Sequence, residues 1–253
     1  MGKKTIFFRN DDVYKLTDEL AAVTKLFLNK RIPICHGVIP AKVTPETVSW
    51  LREMKKKNPG LIEIDQHGFK HRRRYEFGGS RSYQQQLKDA KHGREMMVRY
   101  FGKDFSEIFT LPWQSGNKDN IRVLVNLGYK AFSGNYSIGF YPKVFYALGR
   151  LLRKNNLFGY RVSYQGYEEI LGYKIKEISV SIDLVRDYQK KKIKRKNEFI
   201  EEFNRIKKSE NVLGIMVHHY VFNTDSKIED LGSILEFLKG QPEFLFKRME
   251  DLI

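Results

Sequence analysis

The sequence predicts an α/β fold built on a mostly parallel sheet, open or closed into a barrel. Two observations predict it. Short runs rich in β-branched and aromatic residues alternate with longer amphipathic segments along most of the 253 residues. The unusual polar residues, in turn, fall at the C-terminal ends of the predicted strands, the edge where parallel α/β folds place their sites.

The elements follow in order. Residues 5–9 read as the first strand. Residues 17–30 form a helix with Leu20, Val23, Leu26 and Phe27 on one face and Thr17 as its N-cap. Residues 32–39 are the second strand, and residues 45–57 a helix with Pro45 near its first turn. Residues 61–65 are the third strand, followed by a long helix within residues 82–100. The fourth strand covers residues 107–111, and a helix over 120–127 is stopped by Gly128. Residues 130–133 make the fifth strand.

After that the rhythm breaks. Residues 134–173 are aromatic-rich and irregular, and read as an insertion within a single domain spanning residues 1–253. Regularity returns with a strand over 176–184, a helix over 194–208 and a strand over 212–217. A helix over 228–238 and a short strand over 243–247 complete the chain. No repeat, low-complexity tract or linker interrupts it.

Composition excludes several classes. With 41% apolar residues, eighteen Phe and fourteen Tyr, the chain can fill a core and is not disordered. Cys35 is the single cysteine, so no disulfide framework exists. Residues 211–224 are the longest stretch without a charged residue, too short to span a membrane. The N-terminus meets charge too early for a signal peptide, and a cytoplasmic protein is expected. Forty-six basic against thirty acidic residues leave +16, which points to polyanionic partners or to a solvated lysine-rich surface. No zinc-finger spacing or RNA-binding signature accompanies that charge, so no specific nucleic acid is expected.

Four segments carry candidate chemistry. Asp11 and Asp12 follow the first strand, His67 and His71 the third, Pro112 and Trp113 the fourth, and His218 and His219 the penultimate one. An Asp pair often only caps a turn. Adjacent like charges also push their pKa values apart, which suits one base and one ligand. The i,i+4 spacing of His67 and His71 puts both on one face if the segment is helical, and suits a single metal. With Asp12 they would supply two nitrogens and one oxygen, the donor set of a catalytic zinc-type site with open positions. His218 stays free as a proton donor. His36 and His92 read as structural.

These residues resemble the polysaccharide deacetylase family, NodB-like carbohydrate esterases of family 4. The family's first motif, Thr-Phe-Asp-Asp-Gly, is matched by Arg9-Asn10-Asp11-Asp12-Val13. Its second, two histidines flanking a small polar residue and two others, is matched by His67-Gly68-Phe69-Lys70-His71. Leu111-Pro112-Trp113 match the third, and Ile215-Met216-Val217-His218 match the aliphatic strand ending in histidine. Order and spacing agree over residues 5–247. The resemblance implies a distorted (β/α)7 barrel and one divalent metal ion, usually zinc. It makes Asp11 the general base, Asp12, His67 and His71 the metal ligands, and His218, before His219, the general acid.

The chain also departs from the family. The third motif carries an Arg two residues before its Pro, where this chain has Thr110. That Arg orients the catalytic Asp, so Asp11 needs another partner, for which Arg9 is the candidate. The Asp- and Trp-containing fourth motif is not recognisable, and Ser133-Gly134-Asn135-Tyr136 stand in its place. Both changes point to a divergent branch with another substrate.

The resemblance implies removal of an N-acetyl group from an amino sugar of a glycan or of a lipid- or nucleotide-linked saccharide. The ion would acidify water, Asp11 would take its proton, and His218 would protonate the leaving amine. A backbone N–H near Pro112 and Trp113 would help hold the oxyanion. Trp113, Pro112, Tyr136, Asp183 and Arg72 are the expected substrate contacts. Trp113 is equally well read as a core aromatic, and Asp183 as the cap of the next helix.

Within the insertion, residues 141–154 place Val144, Phe145, Leu148, Leu151 and Leu152 on one helical face and Lys143, Arg150, Arg153 and Lys154 on the rest. Such a helix packs on the barrel or lies at the inner face of an anionic membrane. Arg72, Arg73 and Arg74 directly follow His71 and favour a phosphorylated or membrane-borne saccharide. The run from Lys190 to Lys196 reads as a solvated helix face. Competing readings are a hydrolase of another small amide, a basic nucleic-acid-binding domain without catalysis, and a catalytically dead sugar-binding relative.

Overall fold

The computed structural model describes residues 3–72, 76–77, 81–114, 116–135, 144, 148, 166–170 and 173–253. They fall into two compact units. The first comprises Met1–Gly37, Thr44–Ile64 and Val180–Leu252, the second Val38–Val43 and Asp65–Ser179 with Ile253. The chain enters the second unit inside its second strand, returns after Val43, enters it again inside its third strand and returns after Ser179.

In the first unit, β1 (Lys4–Val13) is the organising strand. It pairs in parallel with β11 (Val212–Val217), in a register that runs from Thr5 opposite Val212 to Asn10 opposite Val217. It also pairs in parallel with β12 (Phe244–Phe246), and β11 in turn with β8 (Ile182–Asp183). β2 (Ile34–Val38) lies on the other side of β1. Ile6, Phe7, Phe8, Leu213, Ile215 and Val217 are all buried, the near-continuous apolar pattern of parallel strands covered on both faces. Gly214 is required by that packing, because a Cβ there would stand 2.3 Å from Phe7 Cζ and 2.7 Å from Val180 Cα.

Helices cover these strands. α1 (Asp18–Asn29) starts at Thr17, whose hydroxyl accepts from Leu20 N at 3.2 Å. It buries Leu20, Val23 and Phe27, with Phe27 edge-on to Phe8 at 4.8 Å. α2 (Pro45–Lys57) starts at Thr44 with Pro45 in its first turn and buries Val48 and Leu51. α5 (Lys196–Ile206) and α6 (Asp225–Lys239) meet through Phe199 and Phe203 against Phe237.

In the second unit the strand order is β6-β7-β5-β4-β3. β3 (Ile62–His67), β4 (Phe105–Thr110), β5 (Ala131–Ser133) and β7 (Tyr173–Glu177) supply most of it. β5 is parallel to both β4 and β7. β6 (Gly166–Ile170) pairs antiparallel with β7, Ile170 opposite Tyr173. α3 (Tyr83–Phe101) opens on a Ser82–Gln85 capping box, and α4 (Lys118–Asn126) on an Asn117 cap.

Several expectations are corrected. β1 runs through Asp11 and Asp12 to Val13, because Arg9, Asn10 and Asp11 find polar partners that offset their poor strand propensity. Residues 67–71 are not helical: Gly68 and His71 both have positive φ, 62° and 49°. The supposed irregular stretch contains β6 and the start of β7, and the strand expected over 176–184 is interrupted between β7 and β8. There the Ser179 hydroxyl donates to Glu177 and accepts from Gly134 N, and the Ser133 hydroxyl donates to Ile178 O, so side chains supplement the backbone bonds of Ile178 N to Phe132 O and Ser181 N to Gly214 O. The run from Lys190 to Lys196 is no helix face either. Most of it forms the turn and second strand of a hairpin, β9 (Val185–Asp187) with β10 (Lys192–Ile193), and only Lys196 is helical. The amphipathic segment over 141–154 lies almost wholly outside the described residues. Among those described, no helix is long and apolar enough to cross a membrane.

Candidate functional site

β1 brings two consecutive carboxylates to the end of the first unit's sheet. Arg9 and Asp11, two apart on one strand, share a face. Both are fully buried and joined twice, Nε to Oδ1 at 2.7 Å and Nη2 to Oδ2 at 2.8 Å. The fork fixes the carboxylate plane and offsets its charge. Asp12 is partly exposed, and its φ of 63° swings its side chain out of the strand's alternation. Its Oδ2 lies 3.9 Å from His218 Nε2.

His218 follows β11 and is almost buried. Its Nδ1 is 3.3 Å from the Tyr188 hydroxyl, and the two rings meet edge to face at 5.0 Å. Tyr188 in turn donates to Asp183 Oδ2, leaving its oxygen to accept from His218 Nδ1–H. The ring held in this way has Nε2 on the side of Asp12. Burial raises the Asp183 carboxyl above its ordinary value, and burial with the facing Asp183 raises the Tyr188 phenol. Asp183 also accepts from Val185 N at 2.8 Å, so it caps a strand turn rather than a helix.

The neighbouring histidine is different. His219 is buried, and Asn10 Oδ1 lies 2.9 Å from its N–H and 3.2 Å from its Nδ1. Burial pushes its pKa down to about 4. Asn10 Nδ2 also meets His36 Nδ1 at 3.1 Å, and His36 Nε2 lies 3.4 Å from the Thr24 hydroxyl. Burial holds His36 down at about 3. These two imidazoles are neutral parts of a satisfied core network. His92 is exposed on α3 against Phe69.

In the second unit, β3 ends on His67, whose Nδ1 is 3.3 Å from Thr110 O. Donation to that carbonyl puts the lone pair on Nε2, the tautomer a metal-binding imidazole needs. The chain turns at Gly68, whose N–H reaches Thr110 O at 3.2 Å, and returns through His71. The two imidazole centroids are 4.7 Å apart, and His71 stacks on Trp113 at 4.9 Å. Trp113, with φ 55°, is half exposed and donates Nε1–H to Arg72 O at 2.9 Å, while Pro112 is buried against Gly68. Arg72 is exposed.

The sequence-derived residues therefore gather in two sets: Asp11, Asp12, His218 and Asp183 in one unit, and His67, His71, Pro112, Trp113 and Arg72 in the other. Tyr136, Arg73 and Arg74 lie outside the described residues. Two residues with polar contacts in these sets escaped the sequence reading, Tyr188 and Glu76. Neither carries a local signal, because each reaches its set through the chain's return rather than through spacing.

No protein-family model and no curated relative matches the sequence. Solved structures do match. A candidate polysaccharide deacetylase from Mycobacterium smegmatis aligns with a TM-score of 0.73 at 13% identity, over 100% of this chain and 90% of that one. A family 4 acetyl xylan esterase from Clostridium thermocellum, in complex with a cobalt ion, aligns at 0.59 and 14%, over 98% and 90%. A CE4 family pseudoenzyme from Bacillus anthracis aligns at 0.59 and 11%, over 97% of this chain and 63% of that one. The chain thus has the expected distorted (β/α)7 fold of the carbohydrate esterase family 4 polysaccharide deacetylases, which it resembles as a divergent, NodB-like form.

Proposed function

We propose that residues 1–253 form one catalytic domain, a metal-dependent hydrolase that removes an acyl group, foremost N-acetyl, from an amino sugar. The observation that carries this reading is the end of β1. Asp11 is buried in an arginine fork, and Asp12 beside it opens towards His218. Two adjacent carboxylates in such different settings suit a base and a ligand.

In this reading Asp12, His67 and His71 are the residues that would hold the metal ion. One carboxylate oxygen and two imidazole nitrogens fit a catalytic divalent site, with zinc as the proposed ion. Bound there, it would supply an acidified water and polarise the acyl carbonyl. In this reading Asp11 takes the proton of the attacking water, its plane held by Arg9. His218 Nε2 delivers a proton to the departing amine, its ring oriented by Tyr188 and Asp183. His219, neutral and engaged with Asn10, takes no part. The exposed face of Trp113 offers a stacking surface to a sugar ring. Arg72 beside it and the net +16 favour a phosphorylated or lipid-linked saccharide, met at the inner face of a membrane.

Elemental analysis joined to acetate release tests the whole reading. One equivalent of a divalent ion, with acetate freed from one member of a panel of N-acetylated glycans and nucleotide sugars, is expected. Asp11→Asn should end turnover while leaving the ion bound. Protein without metal that releases no acetate would overturn the proposal and favour a sugar-binding role without catalysis.

A further inference from the structure

The loop between the two histidines lacks the small polar residue that the second motif carries in the resembling family, and Gly68 stands there instead. The geometry explains why. Gly68 has a φ of 62°, and a Cβ on it would lie 2.9 Å from Pro112 Cγ and 3.3 Å from Glu76 Oε2. No hydroxyl-bearing side chain fits, so the loop cannot brace itself from within.

Glu76 occupies that space. It is 2% exposed, a carboxylate inside the second unit with no cation bonded to its oxygens among the described residues. Backbone N–H groups of the loop surround it: Phe69 N at 2.8 Å and Lys70 N at 2.5 Å on Oε1, and Arg72 N at 3.3 Å on Oε2. Gln66 Nε2 holds Gly68 O at 2.8 Å, Ala41 N holds Phe69 O at 3.0 Å, and Trp113 holds Arg72 O. The backbone on both sides of His71 is therefore fixed by groups outside the proposed ligand set, and Glu76 alone among them bonds both sides. Three charge-assisted bonds converge on the one carboxylate, more than any other group gives the loop.

We infer that Glu76 is a positioning residue that holds the loop of residues 68–72, and with it His71, in its metal-ligating pose. The inference rests on the proposed metal site, but concerns a residue outside the ligand set. Glu76→Gln keeps one acceptor oxygen and replaces the other by a donor facing N–H groups, and Glu76→Ala removes both.

Cobalt(II) titration of metal-free protein, read by its visible absorption, tests this without turnover. Both variants should bind cobalt about 10- to 100-fold more weakly, as loss of a ligand's supporting partner does elsewhere. Amide exchange at Phe69 and Lys70 should quicken while circular dichroism stays unchanged. Should the alanine variant fail to fold, the glutamine variant decides. Wild-type affinity, spectrum and exchange in the variants would overturn the inference alone. Wild-type protein that binds no cobalt would overturn the metal-site reading, and amide exchange would then still decide whether Glu76 holds the loop.

Discussion

The Arg9 guanidinium and the Asp11 carboxylate form a fork-to-fork pair at 2.7 and 2.8 Å with neither side chain exposed to solvent. Two residues apart on one strand, they need no other element to meet. In the resembling family an Arg of the third motif orients this Asp, and here Thr110 stands at that place with its hydroxyl given to Asp65. The cation that pairs with Asp11 here lies on the same strand as the carboxylate.

That arrangement sets the first prediction. Arg9→Met leaves a buried carboxylate without its partner, which costs about 3–5 kcal/mol. The variant should unfold at lower urea and lose activity. Arg9→Lys keeps the charge but not the fork, and should fall between. Arg9→Met combined with Asp11→Asn should recover stability relative to Arg9→Met alone, because no charge is then stranded. Urea midpoints of the four proteins check it, and a double variant no better than Arg9→Met would deny that the two residues are coupled.

His218 gives a prediction about leaving groups. A proton donor matters when an amine departs and little when a nitrophenolate does. His218→Asn should slow N-acetyl hydrolysis by about 100- to 10,000-fold, the usual worth of a general acid. Hydrolysis of 4-nitrophenyl acetate should change far less. Tyr188→Phe removes the acceptor of Nδ1–H and should lower kcat with KM nearly unchanged. Equal losses on amide and activated ester would show that His218 does something other than protonate the amine.

The sequence made the frame legible and left the supports hidden. β1 and β11 could be read because their aliphatic runs suit strands covered on both faces, and Asp12, His67 and His218 were singled out because they stand at or just beyond the ends of β1, β3 and β11. Arg9 was within reach too, since residues two apart in a strand share a face. Glu76 was not, because a buried carboxylate looks like any surface Glu until the chain folds around it. Tyr188 sits among Asp187, Gln189 and four basic residues, a context that suggested solvent. The spacing of His67 and His71 left open whether the segment is helical, because a spacing of four also fits a turn through two residues of positive φ.

Acid should destabilise the fold through His36. Burial holds its pKa at about 3, with the charge of His219 as the lesser cause, against an unfolded value of 6.5. Below pH 6.5 the unfolded chain binds the proton more readily, so stability is full above that pH and falls as pH drops towards 3. The slope is about 1.4 kcal/mol per pH unit for one proton. Urea midpoints between pH 7.5 and 5, above most carboxylate titrations, should decline accordingly. His36→Gln should flatten the decline by one proton's worth, and an unchanged slope would exclude His36 as its source.

Trp113 offers a reporter of the metal site that does not depend on turnover. Only two tryptophans exist, Trp50 and Trp113, and Trp113 stacks on His71 at 4.9 Å. Trp50 lies instead beside the buried His36, with centroids 6.4 Å apart. A paramagnetic ion such as copper(II) or cobalt(II) held by His71 should quench Trp113 strongly. In Trp113→Phe the remaining emission belongs to Trp50 and should barely respond to the same titration. His71→Ala should remove the quenching while leaving Trp113 emission present. Quenching that persists in His71→Ala would place the ion elsewhere, and quenching that persists in Trp113→Phe would place it near Trp50. The same loop holds Arg72 O to Trp113 Nε1 at 2.9 Å, so Trp113→Phe also tests a brace. Its cobalt affinity should drop by a few-fold, less than in the Glu76 variants, because one neutral bond is lost where they lose up to three charge-assisted ones.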